Sequence, residues 1–160
     1  INGLNTGGTD AGGVDGLLLG INAVCGLLGA PDVRPELEAF PYTARSVLKG
    51  ENTVTFRDKN DLIDYLVLVY RESLDYNKGN NAGAILDTYT QLPFFSNVNI
   101  LIDVKLQGDI RRYMYAKDTG TPPYSGGYGD TPKIWMDKYF IIKSIINEYE
   151  SREMKKRGNK

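Results

Sequence analysis

The sequence predicts a mainly α fold with a small β component (α+β). Three observations carry this. Apolar residues recur at helical spacing in residues 14–29, 59–76 and 133–156; start and stop residues bracket those runs; and strand-like alternation is confined to short pieces. The expected arrangement is a long carboxy-terminal helix packed on a central helix, a β-hairpin, and an extended Gly-rich arm at residues 1–13. Residues 14–157 read as one globular domain, with an exposed Tyr/Gly/Pro loop at 117–131 and a tail at 158–160, because no internal repeat or composition break divides them. A chain of 160 residues buries roughly 70% of the surface its extended form exposes, so its stability calls for neither disulfide nor metal.

The opening, INGLNTGGTDAGGVDG, is rich in glycine and reads as an arm. From Val14 an apolar stretch, VDGLLLGINAVCGLLG, forms a helix that stops near Gly29, with Pro31 beyond it. Gly16, Gly20, Ala23 and Gly26 place small residues along one side of this helix, where another backbone can approach closely. Each glycine costs about 1 kcal/mol of helix propensity relative to alanine, so the helix needs a packing partner. A short helix is expected at Tyr42–Leu48 and a strand at Thr53–Phe56. Asp58 then caps the central helix, 59–76, whose unbroken Tyr65–Tyr70 apolar run implies burial on several sides.

A shorter helix covers Ala82–Gln91 and stops before Pro93. Residues 97–107, NVNILIDVKLQ, fit two periods. Val98, Ile100, Ile102, Val104 and Leu106 alternate strictly, while Val98, Leu101, Ile102 and Leu106 share a helical face. Their β-branched content favours a strand that turns at Gln107-Gly108-Asp109 into a partner at Ile110–Ala116. The helical alternative is capped by Ser96 and carries Gly108 in its middle. Thr131 caps and Pro132 opens the last helix, in which Ile134, Trp135, Tyr139, Ile141, Ile142, Ile145, Ile146 and Tyr149 occupy an arc of about 160°. Phe140 and Met136 fall outside that arc, which points to a second contact surface.

Composition excludes several kinds of chemistry. Without histidine there is no Ser-His-Asp or Cys-His catalysis and no imidazole zinc site. The single cysteine, Cys25, has no partner in the chain, which suits a reducing compartment, and it reads as a small core residue. A formal charge of −1 offers no general attraction to nucleic acid or membrane. The apolar run Leu17–Leu28 is shorter than the roughly 20 residues a membrane span needs, and with Arg34 as the first basic residue it lacks the flank of a signal peptide. Gly7-Gly8 and Gly12-Gly13 precede a helix, but the P-loop lysine and hydroxyl are missing and Asp10 and Asp15 would repel phosphate. One imperfect Gly-Gly-Thr-Asp copy is not the stack that calcium repeats need. No cofactor or metal is expected.

Acidic pairs such as Asp61 with Asp64, or Asp103 with Asp109, are what twenty carboxylates produce by chance, and they read as solvated surface. Arg111, Tyr113 and Tyr115 would share a strand face, with Arg112 beside them. Together with Lys155, Lys156 and Arg157 they form a candidate nucleic-acid surface, although a helix carboxy-terminus attracts bases anyway. Pro122-Pro123-Tyr124-Ser125-Gly126-Gly127-Tyr128 sets rigid aromatic side chains on a pliable backbone, a composition suited to protein contact. Tyr124, Tyr128, Phe140, Gly16 and Gly20 are therefore the candidate partner-binding residues. The expectation is a non-enzymatic structural subunit of a large assembly, such as a head, neck or tail component of a bacteriophage virion, contacting other protein subunits as a homo- or hetero-oligomer. It would be found in the virion or cytoplasm, without membrane contact. The alternative is a nucleic-acid-binding protein using Arg111, Arg112 and the basic end.

Overall fold

The computed structural model describes residues 13–159, in which five α-helices and a two-stranded antiparallel sheet are gathered around α1 (Val14–Leu28). The extended arm at 1–13 falls almost entirely outside the described residues, as does the last residue of the expected tail. Leu17, Leu19, Ile21 and Val24 of α1 are all buried, and the helix ends at Gly29 in a positive-φ conformation.

A mainly α fold with a small β component is what the chain adopts, but the β component is not where the alternation suggested. Tyr42–Leu48 was expected as a helix. Instead Tyr42–Arg45 is strand β1, paired antiparallel with β2 (Thr53–Phe56) in the register Tyr42↔Phe56. Tyr42 and Ala44 face the core while Thr43 and Arg45 face out. The pairing wins because the inward side chains join an aromatic chain: Tyr42, Tyr65 and Phe95 each lie 5.0–5.3 Å from one of the others or from Phe56, between ring centres. Tyr65 Oη also accepts a hydrogen bond from the Val47 amide and pairs with Ser46 Oγ, both at 2.8 Å.

Helices α2 (Lys59–Tyr76) and α3 (Asn81–Gln91) form where their caps direct. Asp58 and Asn80 accept from the Asp61 and Gly83 amides at 3.0 and 3.1 Å. Between the two helices the chain turns through positive φ at Lys78 and Gly79.

Residues 97–107 and 110–116 do not form a hairpin. A single 3-10 turn at Val98–Ile100 leads into α4 (Val104–Thr119), which is capped by Asp103 through the Leu106 amide at 3.0 Å. The cause lies far away in sequence. Asn22, fully buried in α1, donates to Leu101 O at 2.9 Å and accepts from Asp103 N at 3.0 Å and Gln107 Nε2 at 3.1 Å. These bonds hold the backbone at 101–103 in a turn, so the alternating β-branched run never extends.

The carboxy-terminal helix α5 runs Lys133–Gly158. Thr131 does not cap it: Pro132 occupies the cap position, and Thr131 Oγ1 donates to Gly127 O. Nor does α5 rest on the 59–76 helix as expected. It packs chiefly on α1 and α3, with α2 on the other side of α3, so α1 is the central element. Gly20 makes this possible, since a Cβ there would lie 2.7 Å from Ile85 Cδ1 and 3.3 Å from Ile145 Cδ1. Trp135, Ile141, Ile142, Ile145 and Ile146 are buried, but Ile134, expected within the buried arc, is 64% exposed at the rim of a groove with Leu18 and Leu106. Arg152 locks α5 to the α2–α3 corner through Asp87 (2.8 Å) and Asn77 (3.2 Å), and is braced within α5 by Glu148 (3.1 Å). Lys138 joins α4 to α5 through Asp109 at 2.6 Å. No helix among the described residues is long and apolar enough to cross a membrane.

Candidate functional site, an aromatic groove on the last helix

Residues 120–132 leave α4 through the left-handed Gly120 (φ 67°) and cross the amino-terminal half of α5. Their position is set by one basic side chain. Arg112 Nη1 donates to Tyr124 Oη at 2.7 Å, and its guanidinium lies 5.3 Å from the Tyr124 ring centre and 5.6 Å from that of Trp135. The two rings are themselves 6.0 Å apart. Such stacking adds about 0.5–2 kcal/mol per cation–π contact and favours this position of the loop.

Pinned in this way, the loop brings Pro123, Tyr128 and Thr131 against Met136, Tyr139 and Phe140, enclosing a groove of about 230 Å³ with Trp135 at its floor. Tyr128 is 83% and Phe140 58% exposed. Phe140 is braced edge-on against Tyr139 at 5.6 Å, and Tyr139 against Tyr113 at 5.0 Å. Burial, followed by the neighbouring Tyr139 and Glu150, pushes the Tyr113 hydroxyl above its ordinary pKa.

Of the five partner-binding candidates, the structure brings Tyr128 and Phe140 together on this groove. Tyr124 is turned inward as the anchor of the loop and is half-buried. Gly16 and Gly20 are both buried, and at Gly20 the small-residue side of α1 is occupied by Ile85 of α3 and Ile145 of α5, which closes it to a partner there. The expected loop also begins later, since 117–119 belong to α4. Pro123, Met136 and Tyr139 join the groove beyond the five expected partner-binding residues. The signal for Met136 was present, because it stands four residues before Phe140 and outside the buried arc.

The nucleic-acid constellation does not survive as a unit. On a helix, Tyr113 faces the core while Arg111 and Tyr115 share an exposed side, and Arg112 is drawn to Tyr124 and Trp135. Lys155, Lys156 and Arg157 are exposed in the last turn of α5, with Lys156 paired to Glu153 at 2.9 Å.

A larger open cleft of about 710 Å³ lies among Lys49, Glu72, Asp75, Asp87 and Gln91. One of its three carboxylates, Asp87, is tied to Arg152 and to Asn77 Nδ2 (2.7 Å). Of the acids paired in the sequence, Asp64 is exposed on α2 and the other three have structural work. Asp103 caps α4, Asp109 pairs with Lys138, and Asp61 is held by Arg57 at 2.8 Å. No cluster of three or more potential metal ligands occurs among the described residues. Cys25 is buried, and desolvation pushes its thiol up to about 11. No protein-family model matches the chain, and no curated protein or solved structure matches it.

Proposed function

We propose that the protein is a non-enzymatic structural subunit of a larger assembly, of the kind found in a bacteriophage head, neck or tail, and that it meets a neighbouring protein at the aromatic groove. The observation that carries this reading is the convergence of Tyr128, Phe140, Met136 and Pro123 on one groove whose loop is already ordered by Arg112. Aromatic side chains and methionine are enriched at the cores of protein interfaces. A loop fixed before binding also avoids much of the ordering cost that would otherwise weaken association. The engagement of Asp61, Asp87, Asp103 and Asp109 in ion pairs and caps adds support by leaving those carboxylates with structural roles.

The test is site-specific photo-cross-linking in cells that make the protein. A photoreactive residue at Tyr128 is expected to capture another protein chain, one at the exposed Leu68 of α2 is not, and Phe140→Ala should abolish capture. Equal capture from both positions, or none from Tyr128, refutes the groove. Retention on DNA that falls steeply with salt and is lost in Arg111→Ala would favour the nucleic-acid reading instead.

A further inference from the structure

The outer side of α5 carries a second clue, and its use rests on the reading of the protein as an assembly subunit. At 100° per residue, Met136, Phe140, Ser144, Asn147, Ser151 and Met154 fall within an arc of about 80°. From Phe140 onward their spacing alternates four and three, as on a helix that pairs with another helix. Phe140, Ser144, Asn147 and Met154 are exposed, on the side opposite the buried Ile142, Ile145 and Ile146. The strip holds no charge over about 27 Å of helix, although charge is what the solvated face of a helix normally collects.

We propose that this strip seats a second copy of the same chain, antiparallel, about a two-fold axis near Asn147. That symmetry sets Phe140 against Met154 of the partner subunit, so a flexible thioether enters the aromatic groove. It sets Asn147 against its own equivalent at the centre of an uncharged strip that also carries Ser144 and Ser151, where an amide paired with itself across the axis favours this register.

The charges flanking the strip match. Lys143 meets Glu150 of the partner subunit, and Asp137 meets Lys155 of the partner subunit, each pair of opposite sign. Among the described residues Asp137 contacts Lys133 and Glu150 contacts Lys117, each at a long 3.8 Å, and the Asp137 Oδ2 atom is buried without a hydrogen bond. The Lys143 ammonium rests over the Tyr139 ring at 5.9 Å. A parallel pairing fits worse. It would bring Lys155, Lys156 and Arg157 of both copies together, and it would offer Lys143 the Glu148 carboxylate that Asn80 and Arg152 already hold.

Sedimentation equilibrium of the full chain from micromolar to millimolar concentration tests the pairing. The expected mass rises from 17.8 kDa toward twice that value. Asn147→Glu, at an exposed position where folding is undisturbed, should remain monomeric over the same range. Mixing Phe140→Cys and Met154→Cys chains under oxidation should give the mixed disulfide, while the buried Cys25 takes no part. A monomer at every concentration overturns the proposal, as does Asn147→Glu dimerising like the parent, or Phe140→Cys linking to itself in preference to Met154→Cys. A chain that stays monomeric yet cross-links from Tyr128 to a different protein would end the self-pairing and leave the groove reading intact.

Discussion

Replacing glycine by alanine at two helical positions should have opposite effects on stability, and the sign is set by packing. At both sites alanine gains about 1 kcal/mol of helix propensity over glycine. At Gly108, in the middle of α4, the new Cβ meets nothing within 4 Å, so the gain is kept. At Gly20 the Cβ would stand 2.7 and 2.8 Å from Ile85 Cδ1 and Cγ2 and 3.3 Å from Ile145 Cδ1, well inside the roughly 3.5–4.0 Å at which carbon atoms attract. Ile85 and Ile145 are both fully buried and cannot swing away. Overpacking of this kind costs about 1–3 kcal/mol, so Gly20→Ala should lose about 1 kcal/mol net while Gly108→Ala gains about 1. For a chain of this size each kcal/mol corresponds to about 2–4 °C in Tm. Thermal unfolding followed by circular dichroism should therefore separate the two variants by about 4–8 °C, with Gly20→Ala below the parent and Gly108→Ala above it. If Gly20→Ala is stabilised as much as Gly108→Ala, α1 is not packed against α3 and α5 as described, and its small-residue side is again open to a neighbour.

Three further outcomes are expected. Asn22→Ala leaves the Leu101 carbonyl and Asp103 amide unpaired beneath α1, costing about 3 kcal/mol at 1–3 kcal/mol per buried orphan; urea unfolding should show this as a lowered midpoint, and a loss under about 1 kcal/mol would contradict the tether. The Cys25 thiol, pushed up to about 11 by burial, should resist alkylation at pH 8 until the protein is unfolded, and rapid labelling of the native chain would show α1 to be accessible. Hydrogen bonds from the Arg57 side chain and amide hold the Asp61 carboxyl down to about 2 from an ordinary 3.8. A lowered folded pKa means its contribution is complete above about pH 4 and fades as pH falls toward 2; carboxyl NMR titration of Arg57→Gln should find the Asp61 midpoint raised, and an unmoved midpoint would remove Arg57 as the cause.

Several starts and stops follow from local rules and are legible in the sequence, although the Thr131 cap is not among them. Asp58 and Asn80 place the starts of α2 and α3 within a residue or so of their expected positions, Gly29 ends α1, and Thr53–Phe56 is a strand. These features depend on caps, φ > 0 stops and short-range pattern, all of which lie within a turn of the residue concerned. The candidate site was legible in pieces. Tyr128 stood out for its loop and Phe140 for its place outside the apolar arc, but their meeting depends on Arg112 reaching Tyr124 across the intervening turn. On a strand Arg112 and Tyr113 would be neighbours on a nucleic-acid surface; on a helix one anchors the loop while the other enters the core.

The sequence by itself determined that the chain is mainly helical, where its strongest helices begin and stop, and that histidine-based chemistry is excluded. Tertiary structure alone decided what Tyr42–Arg45 and residues 97–116 become and which side of α1 is buried. The physical reason is that these segments satisfy two periodicities or none, so contacts from distant residues choose between them. Asn22 settles the turn before α4 from 79 residues away, and Ile85 and Ile145 close over Gly20 because α3 and α5 both need an apolar surface to cover.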